Sequence, residues 1–213
     1  MNTNIDYWKE ILEHPTSPFK VLFQKENEYL CKHIQTNSKV LDIGCGNGRN
    51  ILSLLNITNN ITGIDNDTKA IEDAKKNLKQ YPAINLLTGT AFNLPFPEKT
   101  FDYAILMMTL VNLADDKQKT LEEMKRVIKE NGKIISVYSE KALKNRLEIY
   151  KQINLPIKEV SGGLVIINEN VETYFSEQFT KEEFGELATK SGLIITNYEE
   201  VRELAYIFTL KRI

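Results

Sequence analysis

The sequence predicts an α/β fold in which a mostly parallel sheet is covered by helices and has an antiparallel edge. From residue 39 onward, short apolar, β-branched runs alternate with longer helical patterns, which is typical of βαβ units. Two strand-like stretches, 193–198 and 204–210, then follow with no room for a crossover helix, so we expect an antiparallel hairpin. A chain of 213 residues is expected to form one domain, 1–213.

The parallel strands are predicted where β-branched and aliphatic residues cluster. They are expected at 39–43, 61–65, 84–88, 101–107 and 133–138. Helices are expected between them, because apolar residues recur at helical spacing on one face. The two best-defined faces consist of Ile71, Ala74 and Leu78, and of Leu121, Met124, Val127 and Ile128.

Local capping patterns predict where several helices begin and end. Thr180 with Glu183 forms a capping box before a C-terminal helix, and Asp67 is well placed to cap the helix after the second strand. Asn131 and Gly132 are expected to close the helix that precedes the fifth strand.

Two segments lie outside the βαβ alternation. Residues 1–36 are predicted to form two helices, the first carrying Tyr7 and Trp8, and to act as a helical lid. Residues 139–179 interrupt the alternation with a helix-like stretch and a Gly162-Gly163 turn. We expect this segment to be a substrate-side insertion, because insertions at the carboxyl edge of a sheet commonly carry specificity.

Composition narrows the classes of function. A formal net charge of -2 gives no global basic field, which disfavours a general nucleic-acid binder and favours a small-molecule partner. Cys31 and Cys45 form no CxxC pair, so we expect neither a metal site nor a disulfide framework. No segment has the length and apolarity of a membrane span, and we expect a soluble cytoplasmic protein without membrane or DNA partners.

The stretch VLDIGCGNGRN places three glycines at alternate positions directly after the first strand. Gly44, Gly46 and Gly48 let a ligand touch the backbone at the start of a helix. A dinucleotide loop, G-x-G-x-x-G, would place its third glycine at position 49, which is Arg49 here. Asp65 ends the second strand 21 residues after Gly44, where its carboxylate can accept hydrogen bonds from two ribose hydroxyls.

Together with GIDND, TGTAFNLPF, FDYAILMMTLVNL and EMKRVIKENGKIISVY, this stretch resembles the motifs of class I S-adenosylmethionine-dependent methyltransferases. The resemblance covers roughly residues 38–138 and 178–212, and it is similar to the ubiquinone/menaquinone and tellurite-resistance groups, which act on small molecules. It implies a three-layer, Rossmann-like α/β fold with a seven-stranded sheet, mostly parallel with an antiparallel C-terminal strand. It also implies S-adenosylmethionine as cofactor and S-adenosylhomocysteine as product.

The resemblance implies a set of cofactor-binding residues. The backbone from Asp42 to Gly48 passes beneath the methionine part, Asp65 and Asn66 meet the ribose and the adenine edge, and a turn after the third strand surrounds adenine. At that turn, Thr90 stands where many family members have an aspartate. The full set is Asp42, Gly44, Cys45, Gly46, Gly48, Asp65, Asn66, Thr90, Ala91, Phe92 and Met107.

No catalytic residue is assigned, because transfer from a sulfonium needs a general base only for some acceptors. The candidates for a base are Tyr7, His14, Asn112, Tyr138 and Glu140. Three alternatives stay open: a tRNA methyltransferase of the modified-uridine type, a cofactor-binding protein without transferase activity, and a nicotinamide-dependent dehydrogenase. The first would need a basic groove formed by Lys141, Lys144, Arg146 and Lys151.

Overall fold

The computed structural model describes residues 15–130, 132–152, 155–169 and 172–213. Its helices are α1 Ser17–His33, α2 Arg49–Leu54, α3 Thr68–Asn77, α4 Lys117–Val127, α5 Leu143–Gln152 and α6 Lys181–Lys190. Its strands are β1 Val40–Ile43, β2 Ile61–Asp65, β3 Asn85–Thr88, β4 Tyr103–Met107, β5 Lys133–Ser139, β6 Ile157–Ser161, β7 Leu164–Glu169, β8 Glu172–Phe179, β9 Leu193–Val201 and β10 Ala205–Arg212.

The central sheet has the strand order β3-β2-β1-β4-β5, and these five strands are parallel. On the far edge of β5 lies β10, which runs antiparallel from Ala205 opposite Tyr138 to Leu210 opposite Lys133. Strand β9 pairs antiparallel with β10 and forms the predicted hairpin. The mostly parallel sheet with antiparallel C-terminal strands is therefore confirmed, with five parallel strands and the hairpin making the predicted seven.

The 139–179 segment adds three strands that the sequence analysis did not predict. Strands β6, β7 and β8 form an antiparallel sheet, and the end of β8 joins the central sheet. There Gln178 and Phe179 pair in parallel with Tyr138 and Ser139, beyond the residues of β5 that pair with β4. The described sheet thus has ten strands, and its extension lies at the carboxyl end of β5.

The core explains why the central strands are continuous apolar runs. All four residues of β1 and all seven of β5 are buried, as expected for strands covered on both faces. Helix α1 buries Phe19, Leu22 and Leu30 and packs against α2 and the terminal hairpin. On α6, Phe184 stacks on Phe208 of β10, with ring centroids 4.3 Å apart.

The helix boundaries follow the capping predictions in two of three places. The Thr180–Glu183 capping box is formed in both directions, and the Asp67 side chain accepts a hydrogen bond from Lys69 N at the start of α3. The predicted cap at Gly132 is wrong, because α4 ends at Val127 and the next residue, Ile128, is already extended. Gly132 has φ +108° in the turn before β5, and Asn131 lies outside the described residues.

The predicted first helix, with Tyr7 and Trp8, lies outside the described residues, as does His14. The predicted second helix is α1. Within the described ranges, no helix has the length and apolar character needed to cross a membrane.

Candidate functional site

The loops that follow β1, β2, β3 and β4 meet at the carboxyl edge of the parallel sheet. We call residues 44–48, 66–67, 89–93 and 108–109 the loop edge. Backbone hydrogen bonds attach the first and third of these loops to β2: Gly44 N donates to Ile64 O (2.7 Å), and Gly89 N donates to Asp65 O (2.8 Å). In open α/β sheets, this crevice is where ligands bind.

The three glycines of the first loop are all left-handed, but they differ in the space around them. Their φ values are +70° at Gly44, +53° at Gly46 and +85° at Gly48. A Cβ at Gly44 would lie 2.2 Å from Thr109 Oγ1, and a Cβ at Gly48 would lie 2.9 Å from Leu78 Cδ1. Among the described residues, no heavy atom lies within 4 Å of a Cβ at Gly46. Gly46 is therefore the glycine whose backbone faces space that a ligand can use.

Asp65 joins the first two loops. Its Oδ2 accepts a hydrogen bond from Gly46 N (2.8 Å), and its Oδ1 accepts one from Asp67 N (2.9 Å). Burial raises the pKa of Asp65, and these backbone donors oppose that rise. Each carboxylate oxygen can accept a second hydrogen bond, so Asp65 can still bind two hydroxyls of a ligand.

Asp42 is a buried carboxyl group beneath the same loop. Asp42 has no exposed surface, and neither of its side-chain oxygens has a hydrogen-bond partner among the described residues. Burial raises the pKa of Asp42 to about 7; the Arg49 charge opposes this rise, and the Asp65 and Glu26 charges add to it. A buried carboxylate costs free energy unless it is paired, so Asp42 fits a site that receives a cationic group.

Arg49 begins α2 and contacts helix α1. Its Nη2 lies 2.7 Å from Glu26 Oε2, and its guanidinium stands 4.0 Å from the centroid of the Phe23 ring. Glu26 is fully buried, and sequence analysis missed it. The signal was present, because helical spacing places Glu26 on the same face as Leu22 and Leu30, where an apolar residue is expected.

The turn after β4 forms another wall of the loop edge. Met107 and Met108 are buried, and Met108 has φ +56°, which is uncommon for a residue with a side chain. Met108 N donates to Ser136 O (3.0 Å) and is 3.1 Å from Ser136 Oγ, so β5 holds this turn. Ser136 is a second polar residue in an apolar run that sequence analysis missed.

The other predicted cofactor-binding residues lie at or beside the loop edge. Thr90, Ala91 and Phe92 are half-buried in the turn after β3, and Asn66 is exposed. Cys45 is buried, its Sγ would lie 2.9 Å from a Cβ at Gly63, and burial raises the pKa of its thiol. Cys45 therefore has the packing and protonation of a space-filling residue, and its contribution to a site is its backbone.

The three described candidates for a general base, Asn112, Tyr138 and Glu140, each have a partner within the protein. The Tyr138 ring lies under the Arg146 guanidinium, 3.7 Å from centroid to Cζ. Glu140 accepts a hydrogen bond from Tyr206 Oη (3.2 Å), and Asn112 Nδ2 donates to Met108 O (3.4 Å).

Two of the four cations that the tRNA alternative would need, Arg146 and Lys141, contact other side chains of the protein. Arg146 is 1% exposed, because its guanidinium donates to the hydroxyl of Tyr138 (2.5 Å) and contacts the hydroxyls of Tyr150 and Ser176. Lys141 Nζ is 2.7 Å from Glu200 Oε1. Two of the four expected cations are thus directed to protein partners. No group of three or more metal-binding side chains occurs within the described part of the chain.

A comparison with known protein families matches residues 41–136 to a model described as a methyltransferase domain. The match contains all four loops of the loop edge and ends in β5. Residues 41–136 are thus similar to a methyltransferase domain. The curated relatives include a demethylmenaquinone methyltransferase of Lysinibacillus sphaericus, 33% identical over 48% of this chain and 44% of its own length. The chain spans about half the length of the first curated relatives that it matches.

Solved structures extend the similarity of fold beyond the methyltransferase domain. A protein from Pyrococcus horikoshii has a TM-score of 0.74 and 23% identity, with 93% of both chains covered. The 1,6-didemethyltoxoflavin-N1-methyltransferase of Burkholderia thailandensis, solved with S-adenosylhomocysteine and 1,6-didemethyltoxoflavin, has a TM-score of 0.70 and 17% identity. That match covers 97% of this chain and 80% of the other.

The different surroundings of Gly44 and Gly46 predict different losses of stability. Both Gly→Ala variants place a side chain at positive φ, which costs roughly 1 kcal/mol. Gly44→Ala also forces a Cβ into Thr109, so we expect it to lose about 1 to 3 kcal/mol more than Gly46→Ala. Urea unfolding of the two variants measures this difference, and equal losses would contradict the tight contact with Thr109.

The raised pKa of Asp42 predicts how stability depends on pH. Because the folded pKa of about 7 lies above the ordinary 3.8, the folded protein binds the extra proton, and its stability falls as pH rises towards 7. Between pH 5 and pH 8, we expect the ligand-free wild type to lose about 2 to 3 kcal/mol more than Asp42→Asn. Urea unfolding at several pH values tests this, and parallel curves for the two proteins would refute it.

Proposed function

We propose that this protein is an S-adenosylmethionine-dependent methyltransferase that methylates a small molecule. The observation that carries the proposal is the arrangement of Gly46 and Asp65, in which bare backbone faces open space and hydrogen-bonds to a half-buried carboxylate. This combination fits a ligand that has both a chain to lie on the backbone and a vicinal diol. The methyltransferase domain contains both residues.

The proposed binding follows the loops in chain order. The backbone of 42–48 receives the methionine part, and Asp42 supplies a negative charge for its ammonium group. Asp65 accepts hydrogen bonds from the ribose hydroxyls, and Asn66 with the turn at 90–92 borders the adenine. Met107 lies at the methionine end. Thr90 can hydrogen-bond the adenine amino group without a charge.

When bound, S-adenosylmethionine supplies a methyl group that its sulfonium already makes electrophilic. The protein's own contribution is to position the two reactants and to exclude water from between them. The loop edge is suited to positioning because backbone hydrogen bonds attach its loops to β2 and β5, and Thr109 Oγ1 donates to Gly44 O across two of the loops (3.4 Å). A general base is needed only for an acceptor that must lose a proton.

The acceptor is proposed to be a small molecule in contact with the 1–36 and 139–179 segments. The insertion supports this, since β8 is fixed to the end of β5 beside the turn after β4. The relatives named above act on demethylmenaquinone and 1,6-didemethyltoxoflavin by their names, and both are small organic molecules. The internal partners of Arg146 and Lys141 disfavour the tRNA alternative. We propose a single domain acting in the cytoplasm.

Cofactor binding is tested by replacing Asp65. Asp65→Ala removes two ribose contacts and the support of Gly46 N, so we expect affinity for S-adenosylhomocysteine to fall by about 1.5 to 3 kcal/mol. Isothermal titration calorimetry measures the change, and the exposed Glu72→Ala on α3 is the matched control. Equal affinity in wild type and Asp65→Ala would place the ribose elsewhere.

Transferase activity is tested with methyl-labelled S-adenosylmethionine and two fractions of a cell extract, one of small molecules and one of tRNA. We expect label in the small-molecule fraction, at a rate reduced in Asp65→Ala because donor binding is weaker. Mass spectrometry then identifies the product that is heavier by one methyl group. Label only in tRNA would favour the RNA alternative, and ligand binding without a labelled product would indicate a binding protein.

A further inference from the structure

Helix α1 reaches the proposed cofactor site through one glutamate. Glu26 is fully buried, and its two carboxylate oxygens contact two different elements. Oε2 lies 2.7 Å from Arg49 Nη2 at the start of α2, and Oε1 accepts a hydrogen bond from Ser136 Oγ of β5 (2.5 Å). A charge in such a position is costly unless both oxygens are satisfied, and here both are.

Each of these contacts continues to a wall of the loop edge. Ser136 Oγ is 3.1 Å from Met108 N, so Glu26 supports the left-handed turn at Met108 through one hydroxyl. Arg49 follows Gly48 directly, so Glu26 also fixes the end of the glycine loop. One residue of α1 therefore connects the turn after β4 to the loop after β1.

We propose that Glu26 is a positioning residue of the donor site, which engages Arg49 and thereby leaves Asp42 to the ammonium group of the ligand. This inference rests on the proposed function. The groups whose charges act on Asp42 come from three elements: Glu26 from α1, Arg49 from α2 and Asp65 from β2, with the Asn50 amide of α2 as a polar neighbour. The Arg49 guanidinium is engaged by Glu26, at 2.7 Å from Nη2 to Oε2, and neither oxygen of Asp42 has a hydrogen-bond partner among the described residues.

The proposal predicts opposite effects for the two members of the ion pair. Glu26→Gln removes a negative charge and releases Arg49 towards Asp42, so it lowers the pKa of Asp42. Arg49→Gln removes the opposing positive charge and raises that pKa further. A change in packing alone would not move the two variants in opposite directions.

The readout is the affinity for S-adenosylhomocysteine at pH 6.0 and 7.5, because ligand binding needs ionised Asp42. With the Asp42 pKa at about 7, wild-type affinity rises about eightfold over this range. Over the same pH range, we expect the affinity of Glu26→Gln to rise about twofold or less, and its binding at pH 7.5 to be weaker than that of the wild type. We expect the affinity of Arg49→Gln to rise about twentyfold or more. Asp42→Asn is expected to be nearly independent of pH and gives the background from other groups.

Two further variants separate the effect of the Glu26 charge on Asp42 from the effect of the hydrogen bonds that support the turn at Met108. Ser136→Ala keeps the ion pair but removes the hydroxyl beside Met108 N, so affinity should fall several-fold with the eightfold pH ratio unchanged. Glu28→Gln is the control on the same helix, because Glu28 is exposed and pairs with Lys25. In this variant, neither the affinity for S-adenosylhomocysteine nor its pH ratio should change. If Glu26→Gln does not fold, the larger pH ratio of Arg49→Gln and the lower affinity of Ser136→Ala with an unchanged pH ratio test the proposal.

The outcomes distinguish this inference from the proposed function. If wild type binds S-adenosylhomocysteine but the pH ratio is the same in wild type, Glu26→Gln and Arg49→Gln, Glu26 is only structural and the inference fails. Shifts in the same direction for both variants overturn it as well. If wild type does not bind the ligand at all, the proposed function fails, and the inference fails with it.

Discussion

The hydrogen bond from the Gly46 backbone to the Asp65 carboxylate connects the two loops on which the whole site depends. It requires β1 and β2 to be adjacent and parallel, so that the residue after one strand meets the last residue of the other. It also requires the left-handed conformation of Gly46, φ +53°, which a glycine adopts most easily and which occurs where its amide donates to the carboxylate. The strand order, the glycine spacing and the acidic end of β2 are thus parts of one constraint.

The second constraint is the group of buried charged side chains near the glycine loop, which affects both the stability of the fold and the proposed ligand binding. Asp42, Glu26 and Asp65 lie close together with Arg49 as the compensating cation that acts on Asp42. Such a group of carboxylates is unfavourable for the folded protein without a ligand, because burial in low dielectric opposes ionisation. A cationic ligand relieves that cost, so the same residues that weaken the ligand-free fold strengthen binding.

The sequence predicted the parts of this protein that local patterns determine. The five parallel strands, the hairpin and the capping box at Thr180 all depend on residues close together in the chain, and the structure contains them. The contact between Glu26 and Ser136 joins residues 110 positions apart, so no local pattern could indicate it. Strand β6 was missed because it is mostly exposed and lacks an apolar face. Arg146 was expected on a charged surface, but aromatic rings and hydroxyls bury it.

The attachment of β8 to β5 has a consequence for how such a protein diverges. In the described residues, the three-stranded extension pairs with the central sheet at Tyr138 and Ser139, past the end of β4. This backbone pairing lies away from the pairs that join β1, β2 and β3. Changes of length within β6 and β7 can therefore accumulate without altering the strand pairing that holds the loops after β1, β2 and β3 in place.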